Sequence, residues 1–264
     1  MNETINTIIS RRSIKAYTDE LVSDYLLNEI TTAATYSASG MNRQSAVMVV
    51  VKDKALRDKL SKLNASIMGI DKDPFYNAPI VIVVLADSNV RTYIEDGSLV
   101  MGTLMNAAHS VGVSSCWIHR AKETFETPEG KEILKEWGLP ESYKGIGNCI
   151  LGYPVDKSDI LPKPRKENYI YYFNSKGKLE KKESYSFNGL KNSYVVYEYD
   201  NLGILSVISE FSADGTKVSE SIIVPQDKKD YLANYDSDGN LMNVSGLDSK
   251  GNSFTIKFRW YNNV

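Results

Sequence analysis

Seven consecutive apolar residues, Ile80 to Ala86 (IVIVVLA), contain no charge and no turn former. The run is short and rich in β-branched residues, so it reads as a strand with two apolar faces. Such a strand needs a sheet covered on both sides. The surrounding sequence supplies sheet and covers. Met48 to Val51 is a second continuous apolar run, expected to be a strand buried on both faces, and Val113–Ile118 and Gly147–Leu151 read as two more strands. Between them, Leu26, Leu27, Ile30, Ala33 and Ala34 recur at helical spacing. Residues 54–63 form an amphipathic pattern behind Asp53, a good N-cap. Asp96 to Val111 reads as a helix whose Gly102, Ala107 and Ala108 allow close packing. Thr127-Pro128 opens another, ending near Gly138.

The grammar changes near residue 173. Before it, alanine is common and seven of the eight prolines occur; after it come only Ala213, Ala233 and Pro225. The rest is rich in Tyr, Ser, Asn, Asp and Gly. It is punctuated by Asn174–Gly177, Phe187–Gly189, Asp200–Gly203, Ala213–Gly215, Asp236–Gly239 and Asp248–Gly251, with several glycines 12 residues apart. Asn or Asp near Gly supplies the positive φ angles of tight hairpins. Strand-like stretches such as Ser193–Tyr199 and Phe254–Trp260 lie between the turns. The expectation is an α+β domain over residues 1–173 and an antiparallel β-hairpin meander over 174–264, which a chain of 264 residues accommodates. The pattern Tyr-Asp-x-x-Gly-x-Leu resembles the tyrosine-aspartate or MORN-like hairpin repeats of bacterial proteins.

Several function classes are disfavoured. The net charge of -2 is unlike the basic excess of a nucleic-acid binder. No apolar run reaches the ~18 residues of a membrane span. The N-terminus MNETINTIISRRS lacks the basic and apolar regions of an export signal. With only Cys116 and Cys149 there is no disulfide framework, so a reducing cytoplasm is expected. Both cysteines sit in apolar strands and read as buried structural thiols. The two histidines and two cysteines have no metal-ligand spacing. The acidic turns lack the terminal Glu of an EF-hand. Gly145-Ile-Gly147 precedes a strand rather than a helix, so it is no dinucleotide fingerprint.

Three segments carry binding chemistry. Arg11-Arg12-Ser13-Ile14-Lys15 places three cations and a hydroxyl within five residues, a set suited to an anion, although a basic helix end also offsets a macrodipole. Ala38-Ser-Gly-Met-Asn-Arg-Gln44 is a small, polar loop leading into a strand. Lys163-Pro-Arg165-Lys166 is a second basic cluster or a solvated linker.

These segments, in this order, resemble the FMN-dependent nitroreductase family. Phe75-Tyr-Asn-Ala-Pro79 before a buried strand, Cys116-Trp-Ile-His-Arg120 after a helix beginning Glu95-Asp96-Gly97, and Ile150-Leu-Gly-Tyr-Pro154 complete the resemblance, which covers residues 1 to about 173. It implies an α+β sandwich that forms a homodimer with FMN at the subunit interface. By that resemblance Arg11 and Ser13 hold the FMN phosphate and ribityl chain, with Arg12 beside them. Lys15 faces flavin N1 and O2. Ala38, Ser39, Gly40 and Asn42 form the loop reaching the flavin from the partner subunit, and Asn64 meets the pyrimidine edge. Ile118, His119 and Arg120 form a turn whose N–H groups face N5, His119 acting through its backbone. Lys163 and Arg165 form a C-terminal phosphate clamp. Two positions depart from the family: Ala38 stands where proline is common, and Gln44-Ser45-Ala46 replaces Gln-Pro-aromatic, reshaping the entrance.

The implied reaction is hydride transfer from NAD(P)H to the flavin, then reduction of a small nitroaromatic or quinone-like acceptor in ping-pong order, Lys15 stabilising the charge that collects at N1 and O2. One alternative is a flavin-holding or partner-binding protein in which the β extension mediates interaction. Another is a different flavin reaction on a small metabolite.

Overall fold

The computed structural model describes residues 2–156, 165–186, 189–223, 231–235, 241–247 and 253–257. The chain divides into two compact units, Met1–Ile160 and Leu161–Val264. The compositional change near residue 173 comes later than this division, because Ile170–Phe173 already pairs within the second unit.

The first unit contains helices α1 (Glu3–Ser10), α2 (Asp24–Thr35), α3 (Lys54–Met68), α4 (Tyr93–Ser110), α5 (Ala121–Glu126) and α6 (Pro128–Glu136), with a 3-10 turn at Gly40–Asn42. Its strands β1 (Ala46–Val51), β2 (Ile80–Asp87), β3 (Ser114–Ile118) and β4 (Tyr143–Gly152) form one sheet in the order β1-β2-β4-β3. All three pairings are antiparallel. Ile80 to Ala86 is buried throughout, as its composition demands. Ile80, Ile82, Val84 and Ala86 pack with Leu27, Ile30 and Ala34 of α2 and Met101 and Leu104 of α4. Val81, Val83 and Leu85 point the other way, toward Leu60 of α3, Phe125 of α5 and Ile133 of α6. The period-2 alternation of a strand thus builds two cores from one apolar run.

Two sequence expectations need correction. Met48–Val51 is not buried on both faces: β1 is an edge strand, and Val50 is exposed. And α3 runs beyond residue 63 to Met68, where Gly69 takes a left-handed conformation (φ 67°). Its inward residues are Arg57, Leu60, Ser61, Asn64 and Ala65. Three of these are polar, which obscured the apolar periodicity. The expected caps are present: Asp53 accepts the Leu56 N–H (2.8 Å) and Thr127 that of Gly130 (3.0 Å).

The second unit contains a five-stranded antiparallel sheet, β5 (Ile170–Phe173), β6 (Leu179–Tyr185), β7 (Lys191–Tyr199), β8 (Leu205–Ser212) and β9 (Lys217–Ile222), in sequence order. A three-stranded sheet follows, β10 (Tyr231–Tyr235), β11 (Leu241–Leu247) and β12 (Ser253–Lys257). Three hairpins of the larger sheet turn by one device. The Gly203 N–H donates to Asp200 O and the Asp200 N–H to Ile204 O, each at 2.9 Å, and the Asp200 carboxylate accepts the Leu202 and Ile204 N–H groups. Asn174–Gly177 and Ser212–Gly215 repeat the backbone pattern. The glycines have φ of 70°, 77° and 89° at Gly177, Gly203 and Gly215, and the ladder shifts register beside each turn. These are turns closed by a left-handed glycine and a bulge. The expected turns at Asp236–Gly239 and Asp248–Gly251, and Phe187 and Asn188 of the expected Phe187–Gly189 turn, lie outside the described residues.

Candidate functional site

The basic segment begins where α1 ends. Arg12 Nη1 donates to the carbonyls of Ile9 and Arg11, both at 2.6 Å, so Arg12 closes the helix terminus. The chain then extends along β3: Ser13 bridges Ser115 in parallel, and the Ile14 N–H donates to Ser115 O (3.1 Å). This presents Arg11, Ser13 and Lys15 around Cys116. Burial pushes the Cys116 thiol up, while a hydrogen bond with Ser13 and the charges of Lys15 and Arg11 oppose the rise. The Cys149 thiol, deeper still, is pushed up to about 12 by its burial. Neither thiol is a nucleophile there. Among the described residues, Arg11 Nη1 is buried with no hydrogen-bond partner, and so is Ser115 Oγ. A buried guanidinium donor without an acceptor is costly, and an anion placed against it removes that cost.

The turn after β3 borders the same place. Ile118 is buried, whereas the His119 side chain is exposed. The His119 carbonyl accepts Asn64 Nδ2 (2.8 Å), and Arg120 Nε donates to Asn64 Oδ1 (3.2 Å). Arg120 itself holds a left-handed conformation (φ 71°). Asn64 is fully buried and spans the turn with both ends of its amide, fixing how residues 118–120 present their N–H groups.

The second polar loop is built around a residue that the sequence reading treated only as a landmark. Asp96, in the first turn of α4, is 3% exposed. It accepts the Gly40 N–H (2.9 Å), the Ser45 hydroxyl (2.6 Å) and the Thr92 hydroxyl (3.3 Å). Burial raises its pKa, but these hydrogen bonds outweigh burial and hold the carboxyl below its ordinary range. Ser39 Oγ accepts the Gln44 N–H (3.1 Å). Met41, Asn42 and Gln44 all have positive φ. A Cβ on Gly40 would overlap the Thr92 side chain. The loop is therefore fixed and slightly strained, with Ala38 and Asn42 exposed. The signal for Asp96 was an acid at the mouth of a small-residue helix, where the helix dipole favours negative charge.

The two groups sit far apart within one chain. Gly40 is tied to Asp96 near the start of α4, whereas Ser10, next to Arg11, meets His109 near its end (Oγ to Nε2, 2.8 Å). Thirteen residues of helix separate these anchors by ~20 Å. Arg165 is exposed, and Lys163 lies outside the described residues.

Comparison with known proteins gives these features a context. The model of the nitroreductase family matches residues 8–153. The FMN reductase [NAD(P)H] of Bacillus subtilis is 27% identical over 180 residues, 62% of this chain and 70% of that one. The structure of a nitroreductase with bound FMN from Bacteroides fragilis aligns with a TM-score of 0.61 and 26% identity, over 66% of this chain and all of that one. A second, with bound FMN from Desulfitobacterium hafniense, gives 0.59 and 28% over the same shares.

Proposed function

The chain belongs to the nitroreductase family, and from that premise we propose that it is an FMN-dependent oxidoreductase that takes hydride from NAD(P)H and reduces nitroaromatic or quinone-like acceptors in ping-pong order. The observation that carries this reading is the buried Arg11 Nη1, without a hydrogen-bond partner among the described residues, beside Ser13 and Lys15 around Cys116. That donor set fits a phosphate and a ring rich in hydrogen-bond acceptors. Arg11 and Ser13 would bind the phosphate end. Arg12 supports them by closing α1. Lys15 would set a positive charge beside the N1–O2 side, and the N–H groups of Ile118, His119 and Arg120 would line the N5 side. When bound, FMN supplies the two-electron carrier, and the protein supplies position and field. The reading asks for no acid–base side chain, in keeping with an exposed His119 that contributes its backbone.

The ~20 Å between the two anchors on α4 supports a homodimer. Ala38, Ser39, Gly40 and Asn42 of one chain complete the site of the other. Ile5, Ile8, Tyr36, Met41, Ile94 and Leu99 are exposed apolar residues on the segments concerned, and α1 has no buried residue of its own. Apolar surface of that kind marks an interface. We place the protein in the cytoplasm, with small molecules rather than nucleic acid as its partners. Among the described residues no helix is long and apolar enough to cross a membrane.

The test is the absorption spectrum of the purified protein. Flavin bands that bleach with NADH or NADPH under argon, in a dimer by light scattering, are expected. A colourless protein with no affinity for added FMN overturns the reading. Tight FMN with slow turnover of every nitroaromatic and quinone tried favours the flavin-holding alternative.

A further inference from the structure

Helix α3 turns a polar face inward. Arg57, Ser61 and Asn64 occupy positions i, i+4 and i+7 of its buried stripe, where a helix of this kind ordinarily places aliphatic side chains. Buried polar groups are retained at a cost in stability, so what they hold is informative. Asn64 holds the His119–Arg120 turn. Arg57 and Ser61 hold a different segment, the Phe75-Tyr76-Asn77-Ala78-Pro79 motif, to which no role has yet been given.

Arg57 is 6% exposed. Its Nη2 pairs with Asp73 (2.6 Å), its Nε donates to Ala78 O (3.0 Å), and its guanidinium lies 5.5 Å from the Phe75 ring. Asp73 also accepts the Ser61 hydroxyl and the N–H groups of Phe75 (2.9 Å) and Asn77 (2.7 Å). Burial raises the Asp73 pKa, but its hydrogen bonds from Arg57, Ser61 and the two N–H groups prevail and lower it from the ordinary carboxylate value. One carboxylate thus collects four donors, two from α3 and two from its own five-residue loop. Inside that loop Tyr76 and Asn77 both sit at positive φ (52° and 59°), an unfavourable conformation for a tyrosine. Strain of this kind persists only where its surroundings over-determine it. The half-buried Tyr76 ring is carried to 5.8 Å from Lys15 Nζ, within cation–π range.

We propose that Tyr76 is a positioning residue for the flavin site: the Arg57–Asp73 anchor fixes its ring beside Lys15 and so fixes the Lys15 ammonium where the ring of FMN is met. The inference rests on the FMN reading above and adds to it the residue through which Lys15 is aimed. A free lysine side chain samples many rotamers, and a cation restrained over an aromatic face before the cofactor arrives loses less on binding it. In this arrangement α3 is the frame of the site, with Asn64 setting the N5 side and Arg57, through Asp73 and Tyr76, setting the N1–O2 side.

The experiment compares Tyr76→Leu, Tyr76→Phe, Lys15→Met and the double variant Tyr76→Leu/Lys15→Met in the full chain, by FMN titration and by spectroelectrochemical titration at saturating FMN. Tyr76 is at the surface of its loop, so these variants leave the Arg57–Asp73 anchor intact. Tyr76→Leu is expected to weaken FMN binding about two- to fivefold, the measure of a partly exposed cation–π contact. It should also lower the midpoint potential of bound flavin, by less than Lys15→Met does. Tyr76→Phe keeps the aromatic face and should restore both. In the Lys15→Met background Tyr76→Leu should change neither. An unaltered potential and affinity in Tyr76→Leu overturn the inference while leaving the FMN reading intact. So does an equal shift in the Lys15→Met background, since Tyr76 would then act without Lys15. A wild-type chain that takes up no FMN overturns both.

Discussion

In the first unit, β2 is out of contact with solvent from Ile80 to Ala86. In the five-stranded sheet of the second unit, among the described residues, only Glu183 and Ser209 are buried, and both are polar. Two antiparallel sheets in one chain thus hold together by different means. The first is sandwiched, and apolar burial on both faces sets its order and register. The second is held by its turns and by contacts across neighbouring strands. Glu183 accepts the Tyr172 and Tyr185 hydroxyls at 2.7 Å and pairs with Lys181. Tyr194 stacks on Phe211 at 4.8 Å, and Lys182 lies between the rings of Tyr171 and Tyr197. The distribution of strain follows the same division. Among the described residues, seven non-glycine residues have positive φ, and six of them (Met41, Asn42, Gln44, Tyr76, Asn77 and Arg120) lie in the first unit, all in segments that carry the candidate site. A dense core can hold such conformations, whereas a sheet fixed by turns and pairs has little to spare for them.

The largest expected effect tests this contrast directly. Ile82→Ala removes a fully buried side chain from the centre of the sandwich and should cost about 2–5 kcal/mol. Val196→Ala, at a half-buried position in the middle strand of the second sheet, should cost less than about 1 kcal/mol. Urea denaturation of both variants checks the pair. Equal losses would break the comparison, because they would mean that the second sheet has an apolar core of its own.

The next effect lies at the site. Arg11→Ala removes the buried donor that has no partner among the described residues, and with it a charge-assisted hydrogen bond worth about 1.5–3 kcal/mol to bound phosphate. FMN affinity should fall by about one to two decades, read by flavin titration, with little loss of fold stability. A variant that is strongly destabilised yet binds FMN normally would make Arg11 part of the core rather than part of the site.

What could be read from the sequence follows the same contrast between local and distant causes. The β2 strand and the hairpin turns were legible because their signals are local: seven apolar residues in a row, or Asn and Asp beside Gly. The cluster Arg11, Ser13 and Lys15, proposed above to bind an anion, stands out for the same reason. The second half of α3 was not, because Arg57, Ser61 and Asn64 face inward toward partners elsewhere in the chain. Asp96 could not be seen as the clamp of the 38–45 loop, since Gly40 is 56 residues away. Nor did the run Met48–Val51 reveal that its strand lies at an edge, because edge and centre are decided by pairing, and not by composition. Arg12, expected beside the phosphate, spends its Nη1 on closing α1, a use that depends on where the helix ends.

Glu183 gives a pH-dependent test of the second sheet. Burial alone would raise its carboxyl, but Lys181 and the hydroxyls of Tyr185 and Tyr172 hold it down at about 2, against an ordinary value of 4.5. The folded state therefore binds this proton less readily than the unfolded state does. The stabilisation is complete above about 4.5 and is lost as pH falls from there through about 2. At neutral pH Glu183→Gln should cost about 1.5 kcal/mol by weakening charge-assisted hydrogen bonds. The variant should also lose this acid dependence in thermal melts of the second unit. A melt whose acid limb is unchanged by the substitution would remove Glu183 from the account.

The smallest effect isolates the turns. Gly203 has φ of 77°, and a Cβ there would meet nothing closer than Lys178 Cε at 3.9 Å. Space is therefore not the constraint, and any cost of Gly203→Ala is conformational. A left-handed L-residue costs about 1–2 kcal/mol. Against this stands the ~0.4–1 kcal/mol gained by stiffening the unfolded chain, so the net loss should be roughly 1 kcal/mol. Gly203→Asn stiffens the unfolded chain similarly but tolerates the left-handed region, so it should lie between alanine and glycine or match glycine. That ranking in urea denaturation would sharpen the contrast between the units, because it ties stability to one backbone angle at an open position. Equal stability of all three would show that the bulged turn relaxes, and that the cross-strand pairs alone hold β7 to β8.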